Sequence, residues 1–310
     1  MESHMIFYLM MITLLFMANS TPAEKDSAKI LEKLSLEVIA AMEGNQKTID
    51  SIHTIQAVIK KTSLQDYGNK GSYKLIQTQK IICDCNHIRI DQLNKKFSGD
   101  KTYENYGSEV GTIDIDSVES NIDYIPSNDN IFIRHPKWSN SYKIRNNPVL
   151  EFQSIRGGTL QENILTSAKN GYYFTAKDDK VDGEKSVLLT CDYTNPPSTL
   201  RIWVIPSKGF CIKKVEDGSK GKIDYEYTTT LKKYPPGIWW FKTVKVGKFR
   251  QGNVIQGSEI SVNSIEFNKP VDPEIFTVWG MDLTAKTKVY DEIQNTTYTL
   301  AIDETENSNK

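Results

Sequence analysis

From Ile52 onward, apolar and polar residues alternate with a period of two in short segments, and no other feature constrains the fold of this chain as strongly. β-branched and aromatic residues recur at 51–62, 73–91, 131–135, 172–177, 186–193, 200–205, 210–216, 222–231, 238–249 and 255–268. Gly, Pro and Asn clusters at 67–71, 195–198, 206–209, 217–221, 235–237 and 247–257 separate most of them. Connections this short join antiparallel neighbours, so the pattern predicts a long meander. One face is apolar: Val187, Leu189, Cys191 and Tyr193 fall on it, as do Tyr225 and Tyr227, and Ile260 and Val262. Thr190, Asp192, Asp224, Glu226, Glu259 and Ser261 point the other way. Between Val262 and Ile265 the apolar phase slips by one, which places a β-bulge near Asn263 and Ser264. Bulges bend strands, and strands bent alike curl a sheet toward a barrel.

Helical spacing occurs ahead of the strands. Residues 27–42 carry Ile30, Leu31, Leu34, Val38, Ala41 and Met42 on one stripe, with Gly44 as the expected stop. A second helix is expected at 159–168. An amphipathic stripe must be buried, and in a β-rich chain the available surface is the open face of the sheet. The expected class is therefore α+β: a large curled antiparallel sheet, an unclosed barrel, with helices packed on its concave face. A curled sheet with this much apolar inner surface is filled by helices or by ligand. The expected lining is Leu34 and Val38 from the helix and Val187, Leu189, Tyr193, Tyr225, Tyr227, Ile260 and Val262 from the sheet.

Residues 5–17 are apolar except for Thr13 and are followed by the small and turn-forming ANSTPA. As a helix that stretch rises about 20 Å, short of the ~30 Å hydrocarbon core. It reads as the core of a secretory signal peptide, cleaved after Ser20 or Ala23, although MESH supplies no Lys or Arg ahead of it. The expected organisation is a signal at 1–23, a single domain at 24–302 with a polar insertion at about 98–130, and a disordered tail at 303–310. The expected location is periplasmic or secreted.

Several function classes find no support. The 38 basic and 39 acidic residues are interspersed, with no basic run to track a phosphate backbone, so nucleic acid is not an expected partner. There is no G-x-S-x-G, H-E-x-x-H, P-loop or dinucleotide fingerprint, and the chain past residue 23 has only His53, His87 and His135. No catalytic residue and no cofactor is nominated. Cys83, Cys85 and His87 fall on one face if 73–91 is a single strand, but ligands spread along roughly 13 Å of straight strand cannot meet one ion. No metal site is nominated on them. Cys191 and Cys211 lie on strands two apart, roughly 10 Å, too far for a bridge; thiols and disulfides otherwise remain open. Trp203 is expected on a strand neighbouring that of Trp239 and Trp240, of which only one can face inward.

The segments LRIWVIPSKGFCIKKVE, YPPGIWWFKTVKVGKF and SEISVNSIEFNKPVDPEIFTVWGMDLTAKTKVYDE, in that order, resemble the LolA/LolB-like superfamily of outer-membrane lipoprotein-sorting proteins. The features are a strand ending in Pro with a Lys-Gly turn, a Gly-Ile-Trp strand, and Phe-Asn-Lys-Pro-Val-Asp before Phe-Thr and Val-Tyr-Asp. The resemblance implies an unclosed barrel whose helices enclose a cavity for acyl chains, and no catalytic residue. It implies a lipid or lipoprotein acyl chain as partner and admits transient membrane contact. The alternative is an interaction module for an envelope protein, its cavity plugged by its own helix.

Overall fold

The computed structural model describes residues 30–66, 72–84, 87–98, 101–112, 121–125, 130–134, 159–219, 221–250, 253–277, 287–291 and 294–299. The expected signal, the tail, Cys85 and His135 lie outside them. The described chain forms two helices longer than a turn, α1 (Leu36–Asp50) and α2 (Leu160–Lys169). Its strands before α2 are β1 (Ile55–Asp66), β2 (Ser72–Cys83), β3 (His87–Ser98), β4 (Lys101–Thr112), β5 (Asn121–Ile125) and β6 (Asn130–Arg134). After α2 come β7 (Thr175–Val181), β8 (Glu184–Thr194), β9 (Pro197–Ile205), β10 (Cys211–Ser219) and β11 (Lys222–Tyr234). β12 (Ile238–Arg250), β13 (Asn253–Phe267), β14 (Lys288–Asp291) and β15 (Thr296–Thr299) complete the set.

All described strands belong to one sheet, ordered β15-β14-β6-β5-β4-β3-β2-β1-β13-β12-β11-β10-β9-β8-β7. β7 and β15 are its two edges, so the sheet is open, as the alternation predicts. Every neighbouring pair is antiparallel except β6 with β14. Two neighbour pairs are not consecutive in the chain, β1 with β13 and β6 with β14, and along the first of these seams two meanders meet. There the register passes from Val58 opposite Ser264 to Ile59 opposite Val262, leaving Asn263 as the extra residue of a bulge. The slipped apolar phase marks that position in the sequence.

Four local expectations are corrected. The 27–42 helix is broken: the chain turns at residues 32–34, and α1 restarts behind Ser35, whose hydroxyl accepts from the Val38 amide. The stripe runs through the break, with Leu34 buried within it and Val38 buried beyond it. Gly44 lies inside α1 and does not stop it, because a Cβ there would overlap the Phe210 ring, which packs on the helix at that point. Residues 73–91 form a hairpin, β2 and β3, in which Asp84 accepts from the His87 amide at 2.6 Å and its own amide donates to the His87 carbonyl at 3.0 Å. Cys83 and His87 therefore sit on different strands, which removes the single-strand premise that set Cys83, Cys85 and His87 in a row. Trp203 is on β9 opposite Leu188, with β10 and β11 between it and β12, so it does not neighbour Trp239 and Trp240.

Within the stretch read as a polar insertion, β4 and β5 extend the sheet beyond β3. Cys191 lies on β8 opposite Leu200, and Cys211 on β10 opposite Ile205. The two are two strands apart and offset along them, and with Cys83 they are buried thiols. α2 matches its expected place, with a capping box in which Thr159 and Glu162 satisfy each other's amides.

Candidate functional site

The concave face is where the helices lie. Read across the register, Leu189, Ile202, Val215, Tyr227 and Val246 form one apolar row from β8 to β12. Phe267, Ile55 and Cys83 form another on β13, β1 and β2, followed by Ile265, Ala57 and Ile81. α1 contributes Val38, Ala41 and Met42, and α2 contributes Leu160 and Ile164; these belong with the rows to one buried cluster. Every residue expected in the lining belongs to or packs on that cluster. Leu34, Val38, Leu189 and Tyr227 are buried within it, whereas Val187, Tyr193, Tyr225, Ile260 and Val262 are half-buried at its margin. Val246 and Ile265, which the alternation alone did not single out, share that margin.

α1 is fastened as well as packed. Asn45 Nδ2 donates to the Phe210 carbonyl at 3.0 Å, and Thr48 Oγ1 donates to the Gly209 carbonyl at 2.8 Å. These bonds tie the second half of the helix to the turn between β9 and β10, where Gly209 and Phe210 take positive φ values of 65° and 55°. At the other end, Lys33 Nζ donates to the Tyr173 hydroxyl at 3.2 Å, and Ser167 of α2 bonds the Tyr193 hydroxyl at 2.9 Å.

The concave face is not apolar throughout. Moving along β1 away from its start, the rows become Ile260, Lys61 and Gln77, then Ser258, Ser63 and Leu75, with Gln256 beyond them on β13. On the other wing the corresponding row is Leu200, Asp217, Tyr225 and Lys248. The face therefore grades from an apolar half beneath the helices to a mixed polar half toward the far strand ends. Tyr225 sits on the boundary, where burial first and the nearby Asp217 second push its phenol up. Burial also pushes the Tyr227 and Tyr234 phenols up, so all three stay neutral at ordinary pH. The polar half was missed in the sequence because β2 mixes polar and apolar residues on both faces, leaving no clean alternation to read.

The convex face carries a different network. Lys214 lies over the Trp203 ring, 5.6 Å from its centroid, and reaches Glu216 at 2.8 Å and Glu226 at 3.0 Å. Trp203 Nε1 donates to Asp179 at 3.0 Å. These partners satisfy one another and hold β7 to β11 in register. Near the start of β3, His87 stacks on Phe276 and its Nδ1 lies 3.2 Å from the Asp84 carboxylate, a contact that seats the 3-10 turn Pro273–Phe276 against the sheet.

No family model matches the chain, and no curated protein matches it. Solved structures do. A domain described as an outer membrane lipoprotein-sorting protein from Vibrio parahaemolyticus is 14% identical and has a TM-score of 0.46, covering 77% of this chain and 97% of its own. A DUF1329 family protein from Desulfovibrio piger is 14% identical with a TM-score of 0.43, covering 78% of this chain and 98% of its own. A LolA superfamily protein from Nitrosomonas europaea is 12% identical with a TM-score of 0.40, covering 78% of this chain and 99% of its own. Similarity of this extent assigns neither a ligand nor a residue role, and it is to LolA-superfamily and lipoprotein-sorting structures that this chain is similar.

Proposed function

We propose that the protein is a non-catalytic carrier or sensor of the cell envelope that shelters an acyl chain of a lipid or lipoprotein on the apolar half of its concave face. The observation that carries this reading is the margin of half-buried side chains, Val187, Tyr193, Tyr225, Ile260 and Val262, packed around the cluster that two short helices join. Each methylene buried there contributes about 0.8 kcal/mol, so one long chain gains ample affinity without any polar recognition. An acyl chain needs no nominated catalytic group, cofactor or metal, and the polar half of the face gives a headgroup a place in water.

Export fits the same reading. The apolar stretch at 5–17 reads in the sequence as the core of a signal peptide, and among the described residues no helix is long and apolar enough to cross a membrane. N-terminal sequencing of the chain from its host tests this; a retained apolar stretch would overturn it. Delipidated protein should bind a fluorescent fatty acid, which α1 substitutions should weaken. A second reading is favoured by the bonds from Asn45 and Thr48 to the 209–210 turn, which fasten α1 as a fixed plug. In that case the protein recognises an envelope partner, and no fatty acid binds.

A further inference from the structure

Large apolar side chains exposed at a surface are informative when they gather at one end of a fold. Leu64, Ile223, Val254 and Ile255 are such residues, and Leu64 and Val254 are 57% and 58% exposed. The register places them together. Gly257 of β13 faces Leu64 of β1 and Gly247 of β12, and Gly247 faces Glu226 of β11, so these four residues form one row across the sheet. Val254 and Ile255 lie two or three residues beyond Gly257, and Ile223 three beyond Glu226, on the same side of the row. They stand at the open rim toward which the concave face turns polar, away from the 209–210 turn that holds α1.

Lysines share this rim. Lys74 pairs with Leu64, Lys248 with Gln256 and Tyr225, and Lys222 precedes Ile223; all three are exposed. Asp192 and Asp224, exposed acids at the same end, accept from Thr199 and Ser219. Apolar side chains on separate hairpin ends, interspersed with lysines, suit a deformable anionic surface better than a rigid complementary one.

We infer that this rim, centred on Leu64, Ile223, Val254 and Ile255 with Lys74, Lys222 and Lys248, is a docking surface for an anionic lipid bilayer. Docking there sets the open end of the concave face against the headgroups while the far end, with α1 and the 209–210 turn, faces away. The inference concerns the rim alone and stands whether or not the concave face carries an acyl chain.

The test is cosedimentation of the protein, with the N-terminus its host leaves on it, with vesicles of phosphatidylcholine containing phosphatidylglycerol. Binding is expected, and it should weaken with added salt. Val254→Ser with Ile255→Ser should weaken it by about tenfold or more. Lys74→Gln and Lys248→Gln should each weaken it by about fivefold on anionic vesicles, with little effect on pure phosphatidylcholine. Lys233→Gln with Lys242→Gln, which removes two exposed charges toward the opposite end, should leave it unchanged. Because all variants share one N-terminus, the differences read the rim. Fatty-acid binding by the Val254→Ser with Ile255→Ser and the Lys74→Gln variants should be unaltered; if the unsubstituted protein binds vesicles but no fatty acid, the carrier reading fails and the rim stands. Absent vesicle binding, equal binding by the rim variants, or rim substitutions that abolish only crosslinking to an envelope protein would overturn the inference.

Discussion

Gly44→Ala probes how α1 is held. In an isolated helix the change would stabilise by about 1 kcal/mol, because glycine is the poorer helix former. Here the new methyl would overlap the Phe210 ring. Phe210 cannot simply move aside, because its carbonyl accepts from Asn45 and the preceding Gly209 carbonyl accepts from Thr48. Overpacking of this kind costs about 1–3 kcal/mol, so the net expectation is a loss of up to ~2 kcal/mol against the opposing propensity gain. Urea denaturation followed by circular dichroism reads it. The decisive comparison is the same substitution in a Phe210→Ala background, where the obstruction is gone and Gly44→Ala should stabilise by about 1 kcal/mol. A gain in both backgrounds would mean that the ring does not lie on α1, and the fastened-helix description would fall with it.

Val38→Glu places a carboxylate at a fully buried position of the cluster and should cost several kcal/mol and weaken fatty-acid binding. Glu226→Gln, on the convex face beside Lys214, should leave binding unchanged and cost less than about 1 kcal/mol. Stability should fall as pH rises above about 10, because the unfolded chain ionises its phenols there while burial keeps those of Tyr225, Tyr227 and Tyr234 protonated in the fold. The slope is up to ~1.4 kcal/mol per pH unit for each phenol, and Tyr227→Phe should flatten it; unchanged alkaline stability would contradict their burial. Cys83, Cys191 and Cys211 should resist a thiol reagent until the protein unfolds, and non-reducing peptide mapping should find Cys191 and Cys211 unlinked.

The parts legible in the sequence are those where one physical cause acts alone. On β13 an inward face and a solvated face impose alternation, and the slip at Asn263 is visible because a bulge must shift that phase. Where two causes overlap, the reading fails. Ser35 caps α1 inside an unbroken apolar stripe, so the break at residues 32–34 leaves no mark in the periodicity. Gly44 carries the same signal whether it ends a helix or admits Phe210. The turn at Asp84 contains neither Gly nor Pro and is made by a side-chain carboxylate, so β2 and β3 read as one strand. The apolar half of the candidate site was legible because burial selects its residues; the polar half was not, because Lys61, Ser63, Gln77 and Gln256 look like any solvated strand face until the register aligns them.

Native mass spectrometry of the protein taken from its own envelope, without delipidation, tests the central proposal most directly. The carrier reading predicts a mass above that of the chain, released by organic extraction as a lipid or acylated species and diminished in the Val38→Glu variant. A bare chain mass, with no extractable lipid and no fatty-acid binding afterwards, would contradict it and leave α1 as a plug.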